Sequence, residues 1–139
     1  MKNYIYDNML SAYDMSTEQQ KRNAIFEVNQ QVILAGLYNG GFFDVAAFYG
    51  GTCLRIFHGL QRFSEDMDFS LLVPDEKFDF TKYFQPIIDE FAVVGREVEI
   101  KKKNKKNFGK VESAFLKDNT DVYDISFQTD KSIKIKIEV

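Results

Sequence analysis

Hydrophobic spacing changes its period at Gly95, and that change limits the chain to folds that combine helices with a sheet. Upstream, apolar residues recur every third or fourth position, as in Ile25, Val28, Val32 and Ala35, or Ile87, Ile88, Phe91 and Val94. Downstream they recur every second position, as in Val98 and Ile100 between charged neighbours. The first spacing lines up one face of a helix and the second lines up one face of a strand. The predicted order is helix, strand, helix, strand, helix, then several strands, which is an α+β or mixed α/β arrangement. A chain of 139 residues suffices for one such domain with its own core, so residues 1–139 are read as a single unit.

The element boundaries follow from local chemistry. Ser16, with Gln19 three residues on, predicts a capped helix start, and Asn39-Gly40-Gly41 predicts its end. A shorter helix is expected before it, from Tyr4 to Asp14. A short apolar strand from Val45 to Tyr49 stops at Gly50-Gly51, after which Thr52 to Phe57 can start a helix. Gly59 to Ser64 reads as a loop. From Asp66 to Leu72 the pattern alternates, with Met67, Phe69 and Leu71 on one face and Asp66, Asp68 and Ser70 on the other. Phe78 to Val94 reads as a helix with Pro86 in its first turn or at a kink. Lys110 to Lys117, Val122 to Phe127 and Ile133 to Val139 are the later strands, expected as an antiparallel run, with Lys101 to Asn107 as a solvated hairpin tip.

Composition excludes several functions. Net charge is −3, which does not advertise a nucleic acid or an anionic membrane as a partner, although Lys101 to Lys110 is locally basic. No run approaches the roughly 18 consecutive apolar residues that a membrane span needs, and the start lacks a signal-peptide plan. A soluble, cytoplasmic protein is expected. The lone Cys53 cannot close an internal disulfide and reads as a small core residue.

Chemistry concentrates between Phe48 and Phe69. Asp66 and Asp68, two apart on a strand, leave the same face with a Cα spacing of roughly 6.5–7 Å and can converge on one cation. Paired carboxylates suit Mg²⁺ or Mn²⁺, hard ions that take oxygen ligands and leave positions for phosphates. Alone, such a pair is as readily a strand's wet face. Upstream, Gly50-Gly51-Thr52 sits at a strand-to-helix junction, where glycines let backbone N–H groups approach a phosphate and Thr52 can add a hydroxyl donor. Arg55 and Arg62 fit a phosphate contact or an ion pair with a carboxylate equally.

The runs Tyr49-Gly50-Gly51-Thr52-Cys53-Leu54-Arg55 and Arg62-Phe63-Ser64-Glu65-Asp66-Met67-Asp68-Phe69 closely resemble the AbiEii/AbiGii toxin family of nucleotidyltransferases, within the polymerase-β superfamily. Its signature is a double glycine or Gly-Ser, a spacer, then two acids separated by one residue. The resemblance implies a polymerase-β-type core in which a mixed sheet is flanked by helices. It implies that Asp66 and Asp68 hold a divalent metal and that Gly50, Gly51, Thr52, Arg55, Arg62 and Ser64 meet the nucleotide. It also implies a third carboxylate on a later strand. Glu138 is the candidate, because Lys134, Lys136 and Glu138 share the polar side of the last alternating run. Family members often have Lys where this chain has Tyr49. His58, the only histidine, is not assigned a role.

From this resemblance the expected activity is transfer of a nucleoside monophosphate from an NTP to an acceptor hydroxyl, possibly on RNA or a tRNA. The setting would be the toxin of a type IV toxin–antitoxin (abortive infection) system with a cognate antitoxin. Relatives generally continue into a helical half, so a truncated or split protein is also expected. The rival expectation is a non-catalytic nucleotide-binding or interaction module, a remnant that kept the acidic pair.

Overall fold

A computed structural model of the chain describes residues 4–58, 65–75, 77–103, 121–128 and 133–139. Helix α1 (Tyr4–Leu10) is followed by the long α2 (Glu18–Asn39), a 3₁₀ turn (Phe42–Asp44), strand β1 (Ala46–Tyr49) and helix α3 (Gly50–His58). Then come β2 (Met67–Leu71), a second 3₁₀ turn (Phe80–Tyr83), α4 (Phe84–Val93), β3 (Val98–Lys103), β4 (Val122–Phe127) and β5 (Lys134–Glu138). Among the described residues the strands form one mixed sheet in the order β1-β2-β5-β4-β3. The mixed α+β class is as expected.

Three boundaries differ for identifiable reasons. Helix α2 is capped by Thr17, whose hydroxyl accepts from the Gln20 N–H while the Gln20 side chain accepts from the Thr17 N–H. Ser16 is unavailable for that role, because its own N–H and hydroxyl both donate to the Asp14 carboxylate. The predicted helix over Phe78 to Val94 is split, with a 3₁₀ turn capped by Asp79 leading into α4. Pro86 is the third residue of α4, where its missing N–H costs no intrahelical bond. Lys101 to Lys103 are paired strand residues opposite Asp124 to Val122 rather than a hairpin tip. The loop expected at Gly59 to Ser64 and the strand expected at Lys110 to Lys117 lie outside the described residues, as does the rest of the Lys-rich stretch.

The antiparallel run expected at the end of the chain is present, and one further pairing makes the sheet mixed. Strands β3, β4 and β5 are antiparallel in series, but β5 runs parallel to β2, with Met67 opposite Ile137 and Asp68 opposite Glu138. This long-range pairing sets the last strand beside the acidic one.

One face of the sheet is apolar and fully covered. Met67 and Phe69 of β2, Ile135 and Ile137 of β5 and Tyr123, Ile125 and Phe127 of β4 are all buried there with residues of α2 and α4. Phe42 sits at the centre of a ring cluster, with centroids 5.1 Å from Phe69, 5.5 Å from Phe80 and 5.0 Å from Tyr83, each edge to face. Burying a ring of this size stabilises the fold by roughly 1.5–3 kcal/mol. Helices α2 and α4 cross tightly at Gly36, where an added Cβ would stand 2.8 Å from the Ile87 Cα. The opposite face carries Asp68 and Ser70, Lys134, Lys136 and Glu138, and Val122, Asp124 and Ser126, all partly or fully exposed. Among the described residues no helix is long and apolar enough to cross a membrane.

Candidate active site

Strand β1 delivers the chain to the acidic strand at one point. Tyr49 lies opposite Asp68 in the antiparallel β1–β2 ladder, and the next residue, Gly50, turns the chain into α3 with φ +88°. That left-handed conformation favours glycine, and so does the space: a Cβ there would lie 2.6 Å from Asp68 Oδ2 and 3.4 Å from Asp68 Cβ and Cγ. The double-glycine bend therefore rests directly against the Asp68 carboxylate. Helix α3 starts at Gly50, two residues earlier than the sequence placed it, so Gly51 lies inside its first turn.

Thr52 fixes the helix to the acidic strand. It is buried, at 1% exposure, and its hydroxyl donates to the Asp66 backbone carbonyl. The hydroxyl expected to donate to a ligand is thus engaged in the protein. What Thr52 and Gly51 still offer are first-turn amides, which have no acceptor within their own helix. Such amides, with the helix dipole behind them, suit an anion.

The carboxylates gather on the polar face of the sheet. Asp68 and Glu138 are register partners on adjacent parallel strands, close enough that their carboxyl groups share a hydrogen bond. Burial, that bond and the charges of Glu138 and Asp66 push the Asp68 pKa up to about 6, with Lys136 opposing. Lys136 Nζ lies 3.5 Å from Asp66 Oδ2 and 3.4 Å from Glu138 Oε1. Partial burial pulls the Lys136 pKa down, but Asp66 and Glu138 outweigh it and the net shift is upward. Two of the three acids are thus bridged by one ammonium.

This donor set fits a hard divalent cation: the ligands offered are all carboxylate oxygens, and their mutual repulsion is incompletely offset by Lys136. The carboxylates are not closed around a common centre; among the described residues no trio of His, Cys, Asp or Glu forms a ready-made metal cage. Asp66 and Glu138 are bridged by the Lys136 ammonium.

Other sequence candidates fall elsewhere. Arg55 donates from Nε to Glu27 Oε2 at 2.9 Å, so of its two expected roles the ion pair is the one seen. Arg62 and Ser64 lie outside the described residues. His58 closes α3. Cys53 is only partly buried, lines an open apolar groove with Leu34, Phe48 and Phe57, and has its thiol pKa raised by burial.

Two features of the candidate site were missed in the sequence. Lys136 read as one of several strand lysines, and nothing local distinguishes it from Lys134. Glu27, 6% exposed, accepts from Tyr13 Oη at 2.8 Å and from Arg55, tying α2 to the helix that begins at the glycine bend. Its neighbours Asn29 and Gln30 are buried too, because α2 is covered on nearly every side. Tyr13 in turn has its pKa pushed up to about 12 by burial and by the Glu27 carboxylate.

A family model described as the nucleotidyl transferase AbiEii toxin of a type IV toxin–antitoxin system matches residues 32–139, more than half of the chain. No curated protein and no solved structure matches it.

Proposed function

The chain belongs to the AbiEii nucleotidyl transferase toxin family, and from that membership and the geometry at Gly50 we propose a metal-dependent site that moves a nucleoside monophosphate from an NTP to an acceptor hydroxyl. The observation that carries this reading is the contact of the left-handed Gly50 bend with Asp68, which itself pairs with Glu138 across β2 and β5. A phosphate at the start of α3 would stand beside the acids. Asp66, Asp68 and Glu138 would hold Mg²⁺ or Mn²⁺. When bound, that ion supplies charge neutralisation for the phosphates and orientation for an in-line displacement.

The chain's own residues do the remaining work. The amides of Gly51 and Thr52 bind the β- and γ-phosphates and so orient the α-phosphorus. Thr52, through the Asp66 carbonyl, keeps this amide pair at a fixed place relative to the carboxylates. The acceptor oxygen forms a bond to the α-phosphorus, the bond to the β-phosphate oxygen breaks, pyrophosphate leaves, and the hydroxyl proton passes to solvent. Preorganised donors aimed at the transferring charge contribute most in such reactions. The acceptor in this proposal is an RNA, with a tRNA 3′ end as the first candidate, and the protein partner is a cognate antitoxin, as the family description implies.

Incubation with an α-labelled NTP, Mn²⁺ and bulk tRNA tests the proposal. Label should move to tRNA with the wild-type chain and not with Asp68→Asn, whose folding circular dichroism would check. Nucleotide binding without transfer would favour the non-catalytic module instead. A fully active Asp68→Asn would overturn the site assignment.

A further inference from the structure

Lys136 is the only cation among the described residues within salt-bridge distance of the acidic cluster, and it spans two of its three members. It lies two residues before Glu138 on the polar side of β5, opposite Asp124 in the β4–β5 ladder. Its side chain is 37% exposed, so the ammonium sits at the end of a flexible stem that can swing outward without opening the core. The ammonium bridges Asp66 and Glu138, so a divalent ion drawing on those same oxygens competes with it for them. An ammonium and a divalent cation so close together also repel each other.

We propose that Lys136 is a displaceable counter-cation: it neutralises the Asp66–Asp68–Glu138 cluster until a divalent metal takes its place, and so raises the metal concentration needed to load the site. The ammonium moves off Asp66 and Glu138 as the metal arrives, and the triphosphate of a bound nucleotide provides the negative charge beside which it can settle. Metal loading is thereby weak without nucleotide and strengthened by it. This inference rests on the metal-site reading above but makes a claim about direction that the reading itself does not make.

The experiment is direct Mn²⁺ binding to the full chain, without nucleotide, followed by electron paramagnetic resonance of free Mn²⁺. Lys136→Met should bind Mn²⁺ about fivefold more tightly than wild type, the scale of one exposed charge acting on a nearby divalent ion. Lys136→Arg, which keeps the charge, should stay within about twofold of wild type. Removal of a merely structural lysine would weaken binding or leave it unchanged, so either result with Lys136→Met overturns the proposal while leaving the metal site standing. Should the Met variant fail to fold by circular dichroism, Lys136→Gln replaces it under the same expectation. Absence of Mn²⁺ binding by the wild type would sink both this inference and the metal-site reading.

Discussion

Replacing Gly50 with alanine should damage the fold and the site together, and the structure gives the size of the effect. At φ +88° an alanine sits where its Cβ crowds its own backbone, at a cost of roughly 1–2 kcal/mol. The same Cβ would stand 2.6 Å from Asp68 Oδ2, so the carboxylate must rotate away. Holding that side chain about 30° off its preferred rotamer adds roughly 0.5–1.5 kcal/mol. A loss of about 2–3 kcal/mol in urea unfolding is expected, with Mn²⁺ affinity falling in the same variant because Asp68 has left its position. Gly51→Ala is the internal control. That residue lies within α3 without a positive φ, so alanine should change stability by no more than about 1 kcal/mol and in the favourable direction. If Gly50→Ala proved no worse than Gly51→Ala, and bound Mn²⁺ like wild type, the bend would not be what shapes the site.

Two further expectations concern charge. Glu27→Ala removes the acceptor of both Tyr13 Oη and Arg55 Nε and leaves the partly buried guanidinium without this carboxylate, so stability should drop by about 3 kcal/mol; a loss below about 1 kcal/mol in urea melts would show that the network does not anchor α3. The pH response follows from Asp68, which the folded protein protonates more readily than an unfolded chain does, at about 6 against an ordinary 3.8. Its contribution is most favourable below about pH 4 and is lost as pH rises through about 6, so metal-free wild type should lose stability relative to Asp68→Asn across that window. Parallel denaturation curves at the two ends of the window would reveal the difference, and curves that shift together would refute it.

Sequence patterns showed which face each candidate site residue takes more readily than how the strands pair. The alternation from Asp66 to Leu72 placed both aspartates on one face because strand periodicity is a local property, and the polar set of the last strand placed Glu138 likewise. Pairing is not local. Nothing between residues 67 and 138 indicated that β5 would join β2 in parallel, yet that register is what brings Glu138 beside Asp68. The helix cap slipped from Ser16 to Thr17 because two hydroxyls in succession each have a glutamine three residues on, and only the competing Asp14 contact separates them. Buried polar residues were hidden for a related reason. Glu27, Asn29 and Gln30 look like the wet side of an amphipathic helix, and only the tertiary packing of the described residues shows them buried. Lys136 differs from Lys134 through its contacts with Glu138, two residues on in β5, and with Asp66, which precedes β2 and is distant in sequence.

Anomalous diffraction from crystals grown with Mn²⁺ and an unreactive NTP analogue bears most directly on the whole account. A manganese peak about 2.1 Å from oxygens of Asp66, Asp68 and Glu138 is predicted, with the triphosphate on the Gly51 and Thr52 amides and the Lys136 ammonium turned off the carboxylates. Manganese elsewhere, or a triphosphate bound away from the start of α3 while Lys136 still bridges Asp66 and Glu138, would contradict it.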